Sequence, residues 1–183
     1  MTTPDIVKSV QLELGSNLPA LSIRLETADD AEWIEALHDA CFGPGRFARA
    51  AFRIRERFGV VDHLCLVAEV EGTPVATVKM APINISDQNG FLLGPLATDP
   101  TRRKLGAGRA LVREVVVRAF EMQTCAFVLL VGDPPYYGPL GFEPTLPERI
   151  EFPAPVDPER VLVAAKDATM NKRLNGPISQ WVD

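Results

Sequence analysis

The feature that most constrains the fold is a continuous apolar segment, Cys125–Val131, which closely follows a stretch with helical spacing. An apolar run of this length is typical of a strand that is buried on both faces of a sheet. In the preceding stretch, from about 106 to 122, apolar side chains recur at the three- and four-residue spacing of a helix. A strand-like segment at 91–98 comes before it. The succession predicts a crossover unit inside a mixed sheet.

The rest of the chain supplies further strands and two helices. Helical spacing follows Asp29 and Asp30, and it recurs from about Arg46 to Phe58. Strand patterns occur at 21–25, 63–70, 74–82, 149–152 and 160–164. We therefore predict an α/β (α+β) fold in which a mixed, mostly antiparallel sheet of about six to seven strands is flanked by helices.

Length and composition limit the classes of protein to consider. With 183 residues, 46% of them hydrophobic and 23% charged, the chain predicts one globular domain over 21–183, preceded by a weakly patterned, loose segment at 1–20. A net charge of −5 argues against charge-driven nucleic-acid binding. The sequence shows no membrane-length apolar run, no secretory signal pattern and no metal-ligand spacing among its cysteines and histidines. We expect a cytoplasmic protein without metal, nucleic-acid or membrane partners.

Positive charge is concentrated just before the long helix. Between Thr101 and Arg109, four of nine residues are basic: Arg102, Arg103, Lys104 and Arg109. Cations at a helix start oppose the helix dipole, and two glycines in the first turn cost roughly 1 kcal/mol each relative to alanine. A sequence that accepts both costs predicts an anion site, since glycine allows close backbone approach and the first N–H groups of the helix are free.

A plain solvated turn is the alternative interpretation of this segment. Asp99 would then cap the helix and Pro100 would occupy its first position. That arrangement leaves Gly106 and Gly108 inside the helix with nothing to offset their cost. Neither common nucleotide motif fits, because no P-loop is present and the dinucleotide fingerprint would need a glycine where the chain has Leu111.

Two motifs resemble a known family. The segment Arg103-Lys-Leu-Gly106-Ala-Gly108 is similar to the acetyl-CoA loop of the GNAT-type N-acetyltransferases, Gln/Arg-x-x-Gly-x-Gly/Ala. Farther along, Tyr136-Tyr137-Gly-Pro-Leu-Gly141-Phe142 resembles the family's Tyr-x-x-x-Gly-Phe ending. The resemblance covers about residues 21–166. Three further segments look like those of a bacterial branch of the family: Phe42-Gly-Pro-Gly-Arg-Phe47, Gly94-Pro-Leu-Ala97 and Gly132-Asp-Pro-Pro-Tyr-Tyr137.

The resemblance implies a sheet that splays between its fourth and fifth strands, where the pantetheine arm of acetyl-CoA inserts. Gly94-Pro95 supports this independently, because proline removes a ladder donor and predicts a bulge; an edge strand with a tolerated proline is the alternative. The arm would bond to the backbone of the fourth strand, and Arg102 or Lys104 would lie near the 3′-phosphate. The implied cofactor-binding residues are Leu96, Ala97, Thr98, Arg102, Arg103, Lys104, Gly106, Ala107, Gly108 and Arg109.

The implied reaction is transfer of the acetyl group to a primary amine by direct attack in a ternary complex. Tyr137, four residues before Gly141, matches the family's general acid and would protonate the departing thiolate. Tyr136 is the weaker candidate, and a tyrosine packed under the loop is the alternative for Tyr137. Pro134-Pro135 leaves the placement of Tyr137 open. No general base stands out: Glu69 and Asp133 are candidates, whereas His38 and His63 suit packing or surface positions.

A basic stripe on the second predicted helix bears on the acceptor. Arg46 and Arg49 begin this stripe, which continues with Arg53 and Arg57, and these first two are candidate acceptor-binding residues. The alternative is the solvated face of an amphipathic helix. The sequence leaves the acceptor open among small metabolites, antibiotics, peptide N-termini and protein lysines. It also leaves the formation of a homodimer open. A silent acyl-CoA-binding sensor or partner module and another kind of nucleotide-binding protein are the competing functions.

Overall fold

The computed structural model describes residues 20–181, so the predicted N-terminal segment lies, apart from its last residue, outside the described residues. Its helices are α1 (Ala31–Phe42), α2 (Ala50–Phe58), α3 (Ala107–Glu121), α4 (Pro134–Tyr137) and α5 (Met170–Arg173). Its strands are β1 (Leu21–Leu25), β2 (Leu66–Val70), β3 (Thr73–Ile85), β4 (Gln88–Thr98), β5 (Phe127–Val131), β6 (Glu143–Pro144), β7 (Ile150–Glu151), β8 (Val161–Ala165) and β9 (Gly176–Pro177).

A seven-stranded sheet with the order β1-β2-β3-β4-β5-β8-β6 forms the centre of the fold. Every neighbouring pair is antiparallel except β4 and β5, which run parallel because α3 crosses over between them. This confirms the predicted mixed, mostly antiparallel sheet flanked by helices. The short strands β7 and β9 form a separate parallel pair.

The two faces of β5 pack against different parts of the core. Val128 and Leu130 belong to the cluster on the α3 face, which also holds Leu111 and other α3 side chains. Leu129 belongs to the opposite cluster, with Ile54 of α2. All of these side chains are almost fully buried. The apolar run therefore lacks alternation because both faces of the strand are covered.

A bulge interrupts the pairing of β3 with β4. Val78 pairs with Leu96 and Met80 pairs with Leu93, so β4 has one residue more than β3 between these two pairs. Gly94 and Pro95 are the residues of β4 that lie there, as the proline predicts. Gly94 takes a φ of 141°, which favours glycine.

The sheet opens between β4 and β5. These strands pair only where Gly90–Leu92 meets Phe127–Leu129. The rest of β4, from Leu93 to Thr98, follows β3 and diverges from β5. The splay between the fourth and fifth strands is thereby confirmed, and it leaves a cleft along one backbone edge of β4.

The helix predicted from Arg46 is wrong in its first turn. Residues Pro44–Ala48 form a short 3-10 helix, Arg49 is extended with φ −72° and ψ 141°, and α2 begins only at Ala50. The break allows Arg46 to fold back onto α1, where its guanidinium pairs with carboxylates. Periodicity alone does not show these contacts between Arg46 and α1.

Candidate active site

A cleft of about 890 Å³ lies where β4 and β5 diverge. Its walls are the end of β4, the start of α3, the residues after β5, α4, and the side chains of α1 and α2 that face the sheet. All predicted cofactor-binding residues line it except Arg102 and Ala107. Arg102 lines a second cavity of about 610 Å³ beside the same loop, and Ala107 is buried in the core.

The start of α3 presents free backbone donors at one end of the cleft. Gly106 is the N-cap residue and takes a left-handed φ of 77°, which glycine adopts without strain. The first intrahelical hydrogen bond runs from the Ala110 N–H to the Gly106 carbonyl, at 3.0 Å. The N–H groups of Ala107, Gly108 and Arg109 therefore have no acceptor within the helix, which is the arrangement that binds anions at helix starts.

Gly108 lies at the meeting point of three elements. A Cβ atom at this position would lie 2.9 Å from the Thr98 hydroxyl of β4 and 2.9 Å from the Tyr136 hydroxyl of α4. Both distances are shorter than ordinary van der Waals contact. A side chain at this position would displace one of these hydroxyls, so glycine keeps the helix start close to the β4 edge.

A single helical turn, α4, positions the Tyr137 side chain. Pro134 opens α4, where its missing N–H needs no partner. The N–H groups of Tyr136 and Tyr137 donate to the Asp133 carbonyl at 2.9 and 3.1 Å. The two prolines therefore start the turn, and Tyr137, which ends it, lines the cleft.

The Tyr137 ring packs directly on the backbone of Gly132. A Cβ atom at position 132 would lie 2.2 Å from the Tyr137 Cε2 atom, which explains a glycine at this position. The ring also meets Phe142 edge-on, with centroids 5.9 Å apart. Burial raises the pKa of Tyr137 well above its usual value, so the hydroxyl is protonated at neutral pH.

Tyr136 lies next to Tyr137 and closer to the helix start. The two rings are 4.8 Å apart in an edge-on contact, and the Arg109 guanidinium lies 5.4 Å from the Tyr136 ring centroid. Burial raises the pKa of Tyr136 as well. The Tyr136 hydroxyl faces Gly108, which indicates a packing role at the loop.

The candidates for the general base lie in different parts of the structure. Glu69 accepts a hydrogen bond from Arg24 Nε at 2.7 Å and does not line the cleft. Asp133 lines the cleft, is exposed, and forms an ion pair with Arg160 at 3.1 Å. The exposed residue His63 lies outside the cleft with its Nε2 atom 3.5 Å from a methionine sulfur.

His38 occupies the wall of the cleft on α1 and is only 4% exposed. Its Nε2 atom is buried without a hydrogen-bond partner among the described residues. Burial, helped by the charge of Arg55, lowers the pKa of His38 to about 4. His38 is therefore neutral at pH 7.

This shift predicts a specific loss of stability in acid. The unfolded chain takes up a proton at His38 near pH 6.5, whereas the folded chain resists it down to about pH 4. The contribution of neutral His38 to the free energy of unfolding is complete above pH 6.5. It is lost as the pH falls toward 4, by at most about 1.4 kcal/mol per pH unit. Between pH 7 and 4.5, His38→Gln should lose roughly 2 kcal/mol less unfolding free energy than the wild type in urea titrations. His63→Gln is the control, and equal slopes for all three proteins would contradict the assignment.

Two of the four arginines in the basic stripe line the cleft, and the other two do not. Arg46 lines the cleft, but its guanidinium pairs with Glu35 at 2.9 Å and with Asp39, so its charge is neutralised by α1. Arg49 is exposed and also lines the cleft, 5.3 Å from the centroid of the Phe42 ring. The stripe's other members, Arg53 and Arg57, are exposed and lie outside the cleft.

Sequence analysis missed Arg55, which also lines the cleft. It lies on α2 between two positions of the apolar stripe, and the basic stripe does not include it. Arg55 falls four residues after Ala51 and three after Phe52 on the same helix, and both of these residues line the cleft. That spacing is the signal which could have identified it.

Within residues 20–181, no cluster of histidine, cysteine, aspartate or glutamate side chains has the arrangement of a metal site. Over the same residues, no helix is both long and apolar enough to cross a membrane.

Comparison with known proteins identifies the family to which the chain belongs. The model of the acetyltransferase (GNAT) family matches residues 31–138, more than half of the chain. The fold is similar to a GNAT family N-acetyltransferase (YhbS) from Escherichia coli in complex with CoA, at 24% identity and a TM-score of 0.70, covering 93% of this chain and 94% of that one. It is also similar to a GNAT family acetyltransferase from Brucella melitensis in complex with acetyl-CoA, at 22% identity and a TM-score of 0.63, covering 88% and 96%.

A third structural match comes from a plant. Naa50 from Arabidopsis thaliana, in complex with the bisubstrate analogue CoA-Ac-MVNAL, is 16% identical with a TM-score of 0.57, covering 80% of this chain and 98% of that one. No curated protein matches the sequence. The structural matches agree with the fold, and the family model, which extends from the start of α1 to just past Tyr137, shows that the chain belongs to the GNAT acetyltransferase family.

Proposed function

We propose that this protein transfers an acetyl group from acetyl-CoA to a primary amine, with both substrates bound in the cleft at once. The observation that carries the proposal is one cleft that contains the free N-terminal end of α3, the open edge of β4 and the Tyr137 side chain. The structures similar to this one were determined with CoA in the Escherichia coli protein and acetyl-CoA in the Brucella protein.

The cofactor would lie along the open edge of β4. Its pyrophosphate would accept hydrogen bonds from the first N–H groups of α3, with Arg103, Lys104 and Arg109 close by. The pantetheine arm would pair with the backbone of Leu96–Thr98 in the manner of an added strand. Arg102, which lines the neighbouring cavity, would face the 3′-phosphate from outside the cleft.

The chemistry needs one nucleophile and one proton donor. The neutral amine attacks the thioester carbon, a C–N bond forms, and the C–S bond then breaks to release the CoA thiolate. Tyr137 would give its proton to the sulfur, and its protonated state at neutral pH suits that role. The proton that the amine loses passes to solvent at the mouth of the cleft, where Asp133 is an exposed carboxylate, and solvent returns one proton to the Tyr137 phenolate.

Thiol release from acetyl-CoA in the presence of a panel of amines tests this proposal. The wild-type protein should release CoA only when an amine is present, and the acetylated amine should appear in equal amount. Binding of CoA without turnover on any amine would instead support the silent acyl-CoA-binding module. Stronger thermal stabilisation by ATP or NAD than by CoA would contradict both.

A further inference from the structure

The Arg55 guanidinium is a cation that lines the cleft at the bulge of β4. Its Nη1 atom lies 3.5 Å from the Gly94 carbonyl, at the bulge of β4. Gly108 and the phosphate-binding end lie instead beside Thr98, four residues farther along the same strand. An extended strand covers roughly 3.3 Å per residue, so about 13 Å is the upper limit for the distance between the two ends along this bulged strand. Arg55 therefore contacts β4 at the end of the open edge opposite the loop.

Arg55 lacks the carboxylate partner that neighbouring cations have. Among the described residues, Arg46 pairs with Glu35 and Asp39, and Lys79 pairs with Glu26 at 2.6 Å. No carboxylate in residues 20–181 lies at ion-pair distance from Arg55. Its side chain is half-buried, and burial lowers its pKa. A desolvated cation without a counterion is costly for a fold unless a ligand supplies the charge.

Glu35 is the carboxylate whose charge acts on Arg55, but it pairs with Arg46 and lies beyond ion-pair distance of the Arg55 guanidinium. His38, on the facing helix, is neutral at pH 7. The guanidinium lies 5.2 Å from the centroid of the Phe52 ring, which in turn meets Phe47 edge-on at 4.9 Å. Arg49, exposed at the same wall, adds a second positive charge. A planar anion fits such a wall, because a guanidinium offers two parallel N–H donors.

We propose that Arg55 binds a carboxylate of the acceptor, so that the preferred acceptors are small amines that also carry a carboxylate. This inference rests on the proposed acetyl transfer. The reacting thioester would lie near Leu96, two residues beyond Gly94 along β4, or roughly 7 Å away. An acceptor that spans this distance holds its carboxylate at Arg55 and its amine at the thioester, which describes a short amino acid.

Pairs of matched acceptors test the effect of the carboxylate charge on the rate separately from the effect of the rest of the molecule. Glycine, β-alanine and 4-aminobutyrate are compared with their carboxamides, which keep the skeleton and lose the negative charge. For wild-type protein, kcat/KM should favour the acid of at least one pair by about 10–100-fold, the range for a hydrogen-bonded charge pair. Arg55→Gln should bring that ratio to about one, mainly by raising the acceptor KM, and Arg55→Lys should restore it in part.

Two controls separate this inference from the proposed function. Arg53→Gln removes a charge from the exposed face of the same helix, outside the cleft, and should leave the ratio unchanged. The Kd for CoA, measured by calorimetry, should be the same in Arg55→Gln and wild type. Equal rates for acid and amide, or a preference that survives Arg55→Gln, overturn the inference and leave the acetyl transfer intact. CoA binding without turnover of any amino acid in the panel also overturns it, whereas failure to bind CoA overturns the proposed function itself.

Discussion

Replacement of Tyr137 by phenylalanine is expected to lower kcat by about 10²–10⁴-fold, the usual contribution of a positioned proton donor. The variant keeps the ring that packs on Gly132 and Phe142, so its fold and its Kd for CoA should be unchanged. Because burial raises the pKa of Tyr137, the wild-type rate should not decline through loss of this proton below about pH 10. Stopped-time thiol assays across pH, with CoA binding measured separately, give both quantities.

Two matched variants test whether Tyr137 is the proton donor. Tyr136→Phe removes the neighbouring hydroxyl and should change kcat by less than about tenfold if Tyr137 is the donor. Gly132→Ala keeps the Tyr137 hydroxyl but places a methyl group within 2.2 Å of its ring, so the ring must move and kcat should fall. If Tyr137→Phe retains the full rate while Tyr136→Phe loses it, the proton comes from Tyr136.

The second large effect is expected at Gly108. A leucine there would overlap the Thr98 and Tyr136 hydroxyls and cover the first N–H groups of α3. Loss of two hydrogen bonds to a charged group, at about 1.5–3 kcal/mol each, corresponds to a Kd for CoA raised by roughly 10²–10⁴-fold. Isothermal titration with CoA measures it directly.

Stability measurements distinguish lost binding from lost folding. Leucine is a better helix former than glycine by about 1 kcal/mol, which opposes any destabilisation from crowding. Gly45→Leu is a suitable control, because a Cβ at this exposed position meets no atom within 4 Å among the described residues. CoA affinity in Gly108→Leu equal to that of the wild type would remove the helix start from the binding site.

Local chemistry explains the parts of this structure that the sequence predicts. A proline has no N–H wherever it lies, so Gly94-Pro95 indicates the bulge without knowledge of the partner strand. The same holds for the start of α3, where Gly106 and Gly108 are costly in any context that offers no compensation. Both features predict the position of the cleft, because they lie at the two ends of the open edge of β4.

The remaining features depend on contacts between distant residues. Arg46 lies outside α2 and pairs with carboxylates on α1, and Arg55 faces the cleft because of the way α2 packs against β3 and β4. The C-terminal residues cross back over the sheet, where Ser179 pairs with Asn84 and Trp181 packs on Phe91 with rings 4.7 Å apart. No local pattern specifies partners nearly a hundred positions apart, so sequence reasoning did not find them.

The divergence of β4 from β5 also bears on pairing between molecules. Unpaired strand edges recruit strands from other molecules, and a fork in a sheet creates two such edges. Here the open edge of β4 faces a cleft whose other walls include side chains of α1, α2 and α4. A strand from another molecule would have to enter this cleft to reach the edge, so these helices should make the backbone that would receive the cofactor a poor template for edge-to-edge aggregation.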